Sequence, residues 1–349
     1  MTETKPLTYR DAGVDISAQD EALSRAKQAI RASFTPGVMA DVGLFGGLFD
    51  PDRVGLGDQI LVASADGVGT KIDVAARAKR YDSVGRDLVN HCVNDILVQG
   101  ARPMFFMDYV GTGKLEPGVV AALITGCAEA CRENGMALLG GETAEMPGLY
   151  QPGDFDLVGF IVGAVRRDRV LDGRRVQPGQ TLLGLRSSGL HTNGYSLARK
   201  VIFERLGLGL EDTPPELGGQ RVVDALLAVH RSYLGLLWPL LEGGHLEALA
   251  HITGGGLVDN VPRVLGATDA VIDRTAWQRP GLFELLVGRG GVDAEDCWQA
   301  FNMGIGMVLF VDASHLTAVR THLEAQGEDV VELGVTRAAS GEKGRVVWS

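Results

Sequence analysis

The chain of 349 residues contains few cysteines, no long apolar run and no surplus of positive charge. No Cys-x-x-Cys pair occurs, so the common zinc motifs are excluded, and Cys127 and Cys131 are expected as reduced apolar fillers on one helix face. No apolar run reaches the roughly 18–20 residues of a membrane span, and the first residues lack the apolar core of a secretory signal. We therefore expect a cytoplasmic protein that is not embedded in a membrane.

Positive charge is outnumbered, since 33 Lys and Arg residues stand against 44 Asp and Glu residues, a net charge of −11. This balance excludes bulk binding of nucleic acid or anionic membrane, but not a local site for a small anion. Glycine, in contrast, is abundant at 48 of 349 residues. Hydrophobic residues make up 45% of the chain and no Gly-X-Y period occurs, so neither disorder nor collagen explains the glycine. It indicates backbone that turns sharply or lies close to a ligand.

The familiar nucleotide and hydrolase motifs are missing from the sequence. It has no G-x-x-x-x-G-K-[ST], no G-x-G-x-x-G after a strand, no G-x-S-x-G and no H-E-x-x-H. A P-loop, the simplest dinucleotide fold and a zincin are therefore excluded, and any nucleotide must be held by another arrangement.

Strands and helices alternate in both halves, which predicts an α/β (α+β) protein with two layered domains. A charged stretch with Gly and Pro over 166–178 places the boundary near residue 168, giving domains 1–167 and 168–349. Apolar periodicity predicts strands over 60–65, 104–110, 136–139 and 157–165, and helices over 17–32, 82–99, 118–134 and 222–241.

The first candidate site follows the strand 60–65, where Asp66 precedes Gly67, Gly69 and Lys71. Ligands collect beyond the carboxyl ends of strands in open α/β sheets. The glycines let backbone N–H groups approach an anion, the lysine adds positive charge, and Asp66 is a hard oxygen ligand for Mg²⁺. A tight turn with a surface Asp and Lys is the alternative.

The second candidate is the helix 82–99, where Leu88, Cys92, Asp95 and Gln99 share one stripe. Asp95 therefore faces inward, and a lone buried carboxylate is costly unless it is paired or holds a metal. A structural salt bridge is the alternative. His91 is expected as a packed or capping histidine.

The third candidate is Gly140-Gly141-Glu142, where a strand again ends in glycines and a carboxylate, and Asp108 lies inside the predicted strand 104–110. Mg²⁺ with a nucleotide explains these acids, because this ion uses one or two carboxylates together with phosphate oxygens. A glycosidase-like carboxylate pair is the rival, and the glycine and lysine around Asp66 favour phosphate.

Two polar loops in the second half complete the set. The segment SSGLHTNGYS leads into a helix and offers His191 and Asn193 as hydrogen-bonding groups. Gly254–Gly256 lie between a strand and a helix, which suits a phosphate. For the loop with His191 and Asn193, the alternative is an Asn-Gly turn with a plain N-cap. For Gly254–Gly256, it is a tight connection that binds no anion. The simplest joint interpretation is two phosphorylated ligands, one per domain or meeting at the interface.

In this order and spacing, DGVGTK, VNDILVQGA, GGETAEMPG, SSGLHTNGYS and HITGGG resemble the phosphoribosylformylglycinamidine cyclo-ligase (AIR synthetase) family over about residues 8–348. The resemblance implies a homodimer whose N-terminal domains pair strands into a barrel. It also implies ATP- and Mg²⁺-dependent cyclisation of formylglycinamidine ribonucleotide to 5-aminoimidazole ribonucleotide in purine biosynthesis, with release of ADP and phosphate.

The resemblance assigns roles to residues that match the family motifs. It implies catalytic roles for Asp95, His191 and Lys71, and metal ligation by Asp66, Asp95 and Glu142. The implied ATP-binding residues are Lys27, Asp66, Gly67, Gly69, Thr70, Lys71, Asp95, Gly141 and Glu142. The implied substrate-binding residues are Ser188, His191, Asn193, Thr253, Gly254, Gly255 and Gly256.

Related families share the carboxylates but catalyse other reactions. Selenophosphate synthetase normally carries a reactive Cys or selenocysteine in an N-terminal glycine-rich segment, and residues 37–57 contain no Cys. Thiamine-phosphate kinase does not combine SSGLHTNGYS with GGETAEMPG. A non-catalytic ATP-binding scaffold is the remaining alternative, and the intact acids count against it. Whether the glycine loop from Gly37 to Gly47 closes over ATP stays open.

Overall fold

The computed structural model describes residues 36–40, 47–55, 57 and 59–349. The predicted helix 17–32 and the candidate Lys27 lie outside the described residues. So does part of the glycine loop from Gly37 to Gly47.

The first domain is built on a five-stranded sheet in the order β1-β2-β5-β3-β4. Its strands are β1 Gly47–Phe49, β2 Gln59–Gly67, β3 Arg102–Thr112, β4 Ala137–Glu145 and β5 Phe155–Arg166. Neighbours run antiparallel except β3 and β4, which are parallel and joined through a helix. This crossover is what a parallel pair requires, because a short hairpin cannot connect it.

Three α-helices belong to this domain within the described residues: α1 Lys71–Ala78, α2 Asp82–Leu97 and α3 Pro117–Glu133. Helix α2 is the most enclosed, since only Asp82 and Arg86 of its sixteen residues are not buried. It packs on the sheet on one side, and its polar side chains reach the second domain on the other. A helix enclosed in this way carries its polar groups into the interior, where each needs a partner.

The second domain is built on a six-stranded sheet in the order β11-β8-β10-β6-β9-β7. Its strands are β6 Thr181–Arg186, β7 Ala248–His251, β8 Thr268–Ile272, β9 Ile305–Val311, β10 Val330–Ala338 and β11 Val346–Trp348. Strand β9, which lies between β6 and β7, is buried at all seven positions. Such a strand has no solvent side, which accounts for its unbroken apolar run.

The helices of this domain are α4 Tyr195–Arg199, α5 Val222–Leu226, α6 Leu234–Glu242, α7 Gly256–Asn260, α8 Gly281–Glu284, α9 Ala294–Ala300 and α10 Leu316–Ala325. Helices α4 and α8 continue as π-helical turns over Lys200–Arg205 and Leu285–Arg289. No helix among the described residues is both long and apolar enough to cross a membrane.

The α/β class with two layered sheets is confirmed, and most predicted elements are present. Three predictions that bear on the candidate sites were wrong in their bounds. The strand predicted over 60–65 continues to Gly67, so Asp66 and Gly67 lie within β2 rather than after it. The helix predicted over 222–241 is interrupted, because residues 227–233 lie between α5 and α6 without helical structure. The strand predicted over 136–139 continues to Glu145, so Gly140, Gly141 and Glu142 lie within β4 rather than after it.

Helices α2 and α3 approach each other closely at a glycine contact. A Cβ at Gly126 would lie 2.1 Å from the carbonyl oxygen of Asp82, and one at Gly85 would lie 2.2 Å from that of Leu123. Both clashes are with backbone, which cannot swing aside. The α2–α3 crossing therefore requires glycine at these two positions.

We predict that Gly126→Ala lowers the free energy of unfolding by about 1–3 kcal/mol, because the added methyl group forces the two helices apart. The measurement is urea-induced unfolding followed by circular dichroism. Gly118→Ala is the matched control in the same helix, since nothing lies within 4 Å of its Cβ position. Equal stability of the two variants would contradict the close-contact explanation.

Candidate active site

Helix α2 presents a series of polar side chains to the second domain. Asp87, Asn90, His91, Asn94 and Asp95 are all buried, with at most 5% of each residue exposed. Their spacing of three or four residues places them along one face of the helix. This face forms the first domain's side of the candidate site.

The opposing surface is the non-helical segment 227–233, and helix α2 provides its hydrogen-bond partners. The N–H group of His230 donates to Asp87 (2.7 Å) and that of Tyr233 donates to Asn94 (3.0 Å). The His230 carbonyl accepts from Asn90 Nδ2 (2.7 Å). A buried backbone group without a partner is costly. The α2 side chains bond the backbone groups that would bond to other backbone groups if this segment were helical. The predicted helix 222–241 is therefore broken by contacts with another domain, which its own periodicity does not reveal.

Lys71 and Asp87 form a fully buried ion pair beside this segment. Nζ of Lys71 lies 2.7 Å from Oδ2 of Asp87, and both side chains are 0% exposed. Nζ also donates to the carbonyl oxygens of Ala228 (2.8 Å) and His191 (3.2 Å), which belong to the second domain. The resemblance implies that Lys71 belongs to a phosphate cradle, but in this structure its ammonium group is enclosed by three oxygen atoms of the protein itself, two of them from the second domain.

Two of the predicted metal ligands come together around His91. Nε2 of His91 lies 2.7 Å from Oδ2 of Asp66 and 3.4 Å from Oδ2 of Asp95. Asp66 comes from β2 and is 44% exposed at its side chain, whereas the Asp95 side chain is 6% exposed. His91 thus holds one open and one buried carboxylate side by side, a role that the sequence interpretation of a packed histidine does not contain.

A chain of hydrogen bonds continues from Asp95 into the second domain. Oδ1 of Asp95 lies 2.9 Å from Nδ1 of His251, at the end of β7, and Nε2 of His251 lies 3.1 Å from Nε2 of His230. Thr192 Oγ1 lies 2.6 Å from Nδ1 of His91, on the other side of the cluster. The inward orientation predicted for Asp95 is thus observed, and its ion-pair partners are histidines rather than Lys or Arg.

The charges in the cluster follow from these contacts. Burial disfavours charge on His91, but Asp66 and Asp95 outweigh it and hold the pKa of His91 well above its usual value. Burial also acts to raise the pKa of Asp95, yet the charge of His91 and the hydrogen bond from His251 bring that pKa well below its usual range. Burial lowers the pKa of His251 despite the neighbouring Asp95. The two carboxylates therefore favour the imidazolium form of His91.

His191 is buried next to this cluster and stacks on His230, with ring centroids 3.9 Å apart. The N–H group of Ser188 donates to its Nε2 (3.1 Å), which places the proton of the neutral ring on Nδ1. Burial lowers the pKa of His191 well below its usual value. Its Nδ1 is buried without a hydrogen-bond partner among the described residues. The resemblance implies that His191 faces the substrate, whereas in this structure the residue is only 1% exposed and its ring stacks on His230.

The predicted substrate loops do meet in space. A Cβ on Gly254 would lie 3.5 Å from the side-chain nitrogen of Asn193. The Thr253 hydroxyl donates to Asn260, and the hydroxyl of Ser188 donates to the Val229 carbonyl (2.5 Å). Gly255 and Gly256 have φ values of 93° and 59°, a backbone conformation that favours glycine. These glycines are thus required by the turn itself, whether or not a phosphate binds there.

Gly67 and Gly69, the glycines of the first candidate site, follow Asp66 where β2 ends and the turn to α1 begins. The N–H group of Gly67 donates to Asp66 (2.6 Å), and Gly69 has a φ of 63° with the Thr192 carbonyl 3.7 Å from its Cβ position. Thr70 is exposed, and its hydroxyl lies 3.0 Å from that of Ser196. The turn between β2 and α1 therefore touches the second domain at the loop that follows His191.

Glu142 is separated from the cluster by the architecture of the sheet. Asp66, Gly159, Asp108 and Gly141 form one row across β2, β5, β3 and β4. Three strand spacings of about 4.8 Å place Gly141 about 14 Å from Asp66. Glu142 follows Gly141 and so projects from the opposite face of the sheet. Within one chain, Glu142 therefore does not join Asp66 and Asp95.

Two groups of side chains in the described structure are close enough to hold a metal ion. The ligand atoms of Asp66, His91 and Asp95 lie within 4.8 Å of one another, as do those of His91, His230 and His251. Mg²⁺ prefers oxygen ligands, so the two carboxylates fit it and the three imidazoles do not. Asp66 is the more accessible oxygen donor, because more of its side chain is exposed.

Sequence reasoning missed three participants: His230, His251 and Asp87. His251 is the first residue of the motif HITGGG, and His230 lies within the predicted helix 222–241. The available signal was the polar content of NHCVND on a helix with an inward-facing stripe, since Asn90, His91 and Asn94 all need partners when they are buried. That signal predicts that partners exist, but not which distant segment supplies them.

The chain resembles proteins of one family along nearly all of its length. Residues 50–165 match the N-terminal domain of AIR synthase related proteins, and residues 177–347 match the C-terminal domain. A phosphoribosylformylglycinamidine cyclo-ligase of Geotalea daltonii is 47% identical over 329 residues, covering 94% of both chains. One of Lactobacillus delbrueckii subsp. bulgaricus is 45% identical over 337 residues, covering 96% of this chain and 97% of the relative.

Among solved structures, thiamine-monophosphate kinase from Stenotrophomonas maltophilia K279a superposes with a TM-score of 0.63. The match covers 93% of this chain and 95% of that chain at 18% identity, which shows a shared fold alone.

We predict that Asp87→Asn lowers the free energy of unfolding by about 3–5 kcal/mol, because it leaves the buried ammonium of Lys71 without its counter-charge. The measurement is urea unfolding of the full chain. Glu211→Gln is the matched control, since Glu211 pairs with Arg221 but its side chain is 74% exposed, and a change within about 0.5 kcal/mol is expected.

The double variant Lys71→Met with Asp87→Asn distinguishes the loss of this ion pair from a general loss of packing. It is expected to lose less stability than the sum of the two single variants, because no unpaired charge remains. Additive losses would contradict a direct interaction between the two side chains.

Proposed function

The chain belongs to the phosphoribosylformylglycinamidine cyclo-ligase family, and we propose that it converts formylglycinamidine ribonucleotide to 5-aminoimidazole ribonucleotide with ATP as the phosphoryl donor. The observation that carries this proposal is the identity of 45–47% to relatives of that name over 94–96% of the chain. Thiamine-monophosphate kinase, in contrast, shares 18% identity and the fold. The reaction belongs to purine biosynthesis.

The proposed chemistry has two steps. The γ-phosphoryl group of ATP is transferred to the oxygen of the formyl amide. The amidine nitrogen then attacks the formyl carbon, so that phosphate leaves and the imidazole ring closes. The second step is intramolecular, so holding the substrate folded supplies much of the rate enhancement. The first step needs stabilisation of charge on the transferred group.

The cluster of Asp66, His91 and Asp95 is the proposed phosphoryl-transfer centre. Its carboxylates would hold Mg²⁺, which supplies positive charge to the oxygens of the triphosphate when bound. Asp66 presents the open carboxylate, and Asp95 is kept ionised by the charge of His91 and the hydrogen bond from His251. His91 orients both carboxylates. Gly67, Gly69 and Thr70 would line the adjoining phosphate path.

The facing loops of the second domain are the proposed site of the ribonucleotide. Asn193 and Gly254 lie beside each other, and Ser188 and Thr253 belong to the same two loops. His191 would act by positioning, because its buried ring supports His230 and its backbone carbonyl accepts from Lys71. We therefore propose Lys71 and His191 as residues that fix the substrate loops against helix α2.

We also propose that two copies pair through the sheet of the first domain, whose boundary we place near residue 168. Phe160 and Met107 are paired across β5 and β3 and point away from α2, with 43% and 40% exposed. Met104 on β3 is 50% exposed, and Leu139 on the adjacent strand β4 is 64% exposed. Contiguous exposed apolar side chains of this kind mark an interaction surface. Face-to-face pairing would enclose them in a barrel and would bring Glu142 to the shared face.

We predict that Asp95→Asn reduces turnover at least about a hundredfold while the protein stays folded, because the charge that supports phosphoryl transfer is lost. The measurement follows aminoimidazole ribonucleotide and ADP together, with a melting curve as the test of folding. Asp82→Asn, at the exposed start of the same helix, is the matched control and should retain wild-type turnover. Wild-type turnover by Asp95→Asn would show that this residue does not belong to the phosphoryl-transfer centre. If the unmodified chain binds ATP but forms no product, a non-catalytic scaffold would be favoured.

We predict that Phe160→Lys converts a dimer into a monomer, because a buried charge at the centre of the paired faces is costly. Light scattering after size-exclusion chromatography measures the mass. Val335→Lys is the control, since Val335 is 44% exposed but lies on β10 of the other sheet. A dimer that persists in Phe160→Lys, or dissociates equally in Val335→Lys, would contradict pairing through this face.

A further inference from the structure

A cavity of about 400 Å³ lies between the two domains at the other end of the first sheet. Its walls include Gln59 at the start of β2, Arg102 at the start of β3 and Arg166 at the end of β5. Trp238 of helix α6 contributes the wall from the second domain. The length of β2 between Gln59 and Asp66 is about 23 Å at about 3.3 Å per residue, so this cavity is distinct from the candidate active site.

Four arginines line the cavity, and we call it the arginine cleft: Arg102, Arg166, Arg169 and Arg175. Glu242 is the one acidic residue among the lining residues. Such a concentration of positive charge is unusual on a chain with a net charge of −11. It points to an anionic ligand, because guanidinium groups bind phosphate and carboxylate in a fixed forked geometry.

The arginines are only partly neutralised by neighbouring carboxylates. Arg166 lies 3.0 Å from Asp168, Arg175 lies 3.4 Å from Glu247, and Arg169 lies 3.9 Å from Asp168. Arg102 has no carboxylate within 4 Å in the described part of the chain. Its guanidinium lies instead over the ring of Trp238, with Cζ 5.4 Å from the centroid. At least one guanidinium is thus held in place without an acidic partner.

Trp238 adds a second polar group that lacks a partner. Its indole Nε1 is buried and makes no hydrogen bond within the described structure. Because that nitrogen is closed off from solvent, the indole contributes its ring to the wall of the cleft, and the guanidinium groups are the donors available to a ligand.

The segment that carries three of the arginines is fixed to both domains. The N–H group of Leu171 donates to the carbonyl of Gln99 (3.1 Å) in the first domain. Nη2 of Arg175 donates to the carbonyl of Leu246 (2.8 Å) in the second. A Cβ on Gly244 would lie 3.1 Å from Nη1 of Arg169, so glycine leaves room for that side chain. The positive groups are held on ordered backbone rather than on a free linker.

We propose that the arginine cleft binds a phosphate ester of nucleotide size, at a site separate from the catalytic nucleotide. The volume is within the range of small-molecule sites. The guanidinium groups take the phosphate, and the Arg102–Trp238 pair offers planar surfaces to a ring. The ligand would contact the first domain, the connecting segment and helix α6 together, and so would favour one relative position of the two domains.

The test uses isothermal titration of the full chain, saturated with a non-hydrolysable ATP analogue and Mg²⁺ so that the catalytic nucleotide site is filled. The probes are GMP, ribose 5-phosphate, inorganic phosphate and guanosine. We expect GMP to bind once per chain, ribose 5-phosphate and phosphate to bind progressively more weakly, and guanosine not to bind. Higher ionic strength should weaken GMP binding, because it screens the guanidinium–phosphate attraction.

Variants locate the binding. Arg102→Ala combined with Arg169→Ala should weaken GMP binding about tenfold or more, and Arg102→Lys should restore only part of it. Arg174→Ala is the matched control, since the side chain of Arg174 is 84% exposed beside the cleft and does not line it. It should leave binding unchanged, and a melting curve of each variant confirms that it is folded.

Several results would overturn the proposal. The first is that GMP does not bind to the analogue-saturated protein. The second is that the double variant binds GMP as tightly as the unmodified chain does. The third is that guanosine binds as tightly as GMP. Displacement of GMP by excess ATP analogue would place it in the catalytic site and would likewise exclude the cleft. If the double variant unfolds, Arg166→Ala alone gives the same decision, because its side chain is 68% exposed.

Discussion

The structure depends on the burial of polar side chains from one helix, α2, against the second domain. Asp87 and Asn94 accept hydrogen bonds from the backbone of 227–233, and Asn90 donates to it. Without these partners, that segment would leave buried backbone groups unsatisfied, and Lys71 would carry an unpaired charge. The same helix supplies His91 and Asp95, so the contact that joins the domains also builds the candidate active site.

This arrangement links the electrostatics of the site to the position of the domains. Asp66 and His91 belong to the first domain, and His251 belongs to the second. Asp95 is kept ionised by partners from both sides, against the penalty of burial. A relative movement of the domains would therefore change the environment of that carboxylate as well as the access to it.

Much of the fold and part of the site could be predicted from the sequence. The inward position of Asp95 followed from helical periodicity, and the meeting of Asn193 with Gly254 fits two polar loops that follow strands. The interruption at 227–233 could not be predicted, because its cause is a set of contacts with residues about 140 positions earlier in the chain. The burial of Lys71 had the same cause. The separation of Glu142 from Asp66 required the strand order, which motif spacing does not contain.

The most direct measurement is a crystal structure of the full chain with a non-hydrolysable ATP analogue and Mn²⁺, in which anomalous scattering locates the metal. The central claim is that phosphoryl transfer takes place at Asp66 and Asp95, where the two domains meet. The account predicts a metal peak bonded to Asp66, with the terminal phosphate beside it and Asp95 within the same coordination shell or one water away. A triphosphate and metal bound elsewhere, with Asp66 and Asp95 still closed on His91, would contradict it.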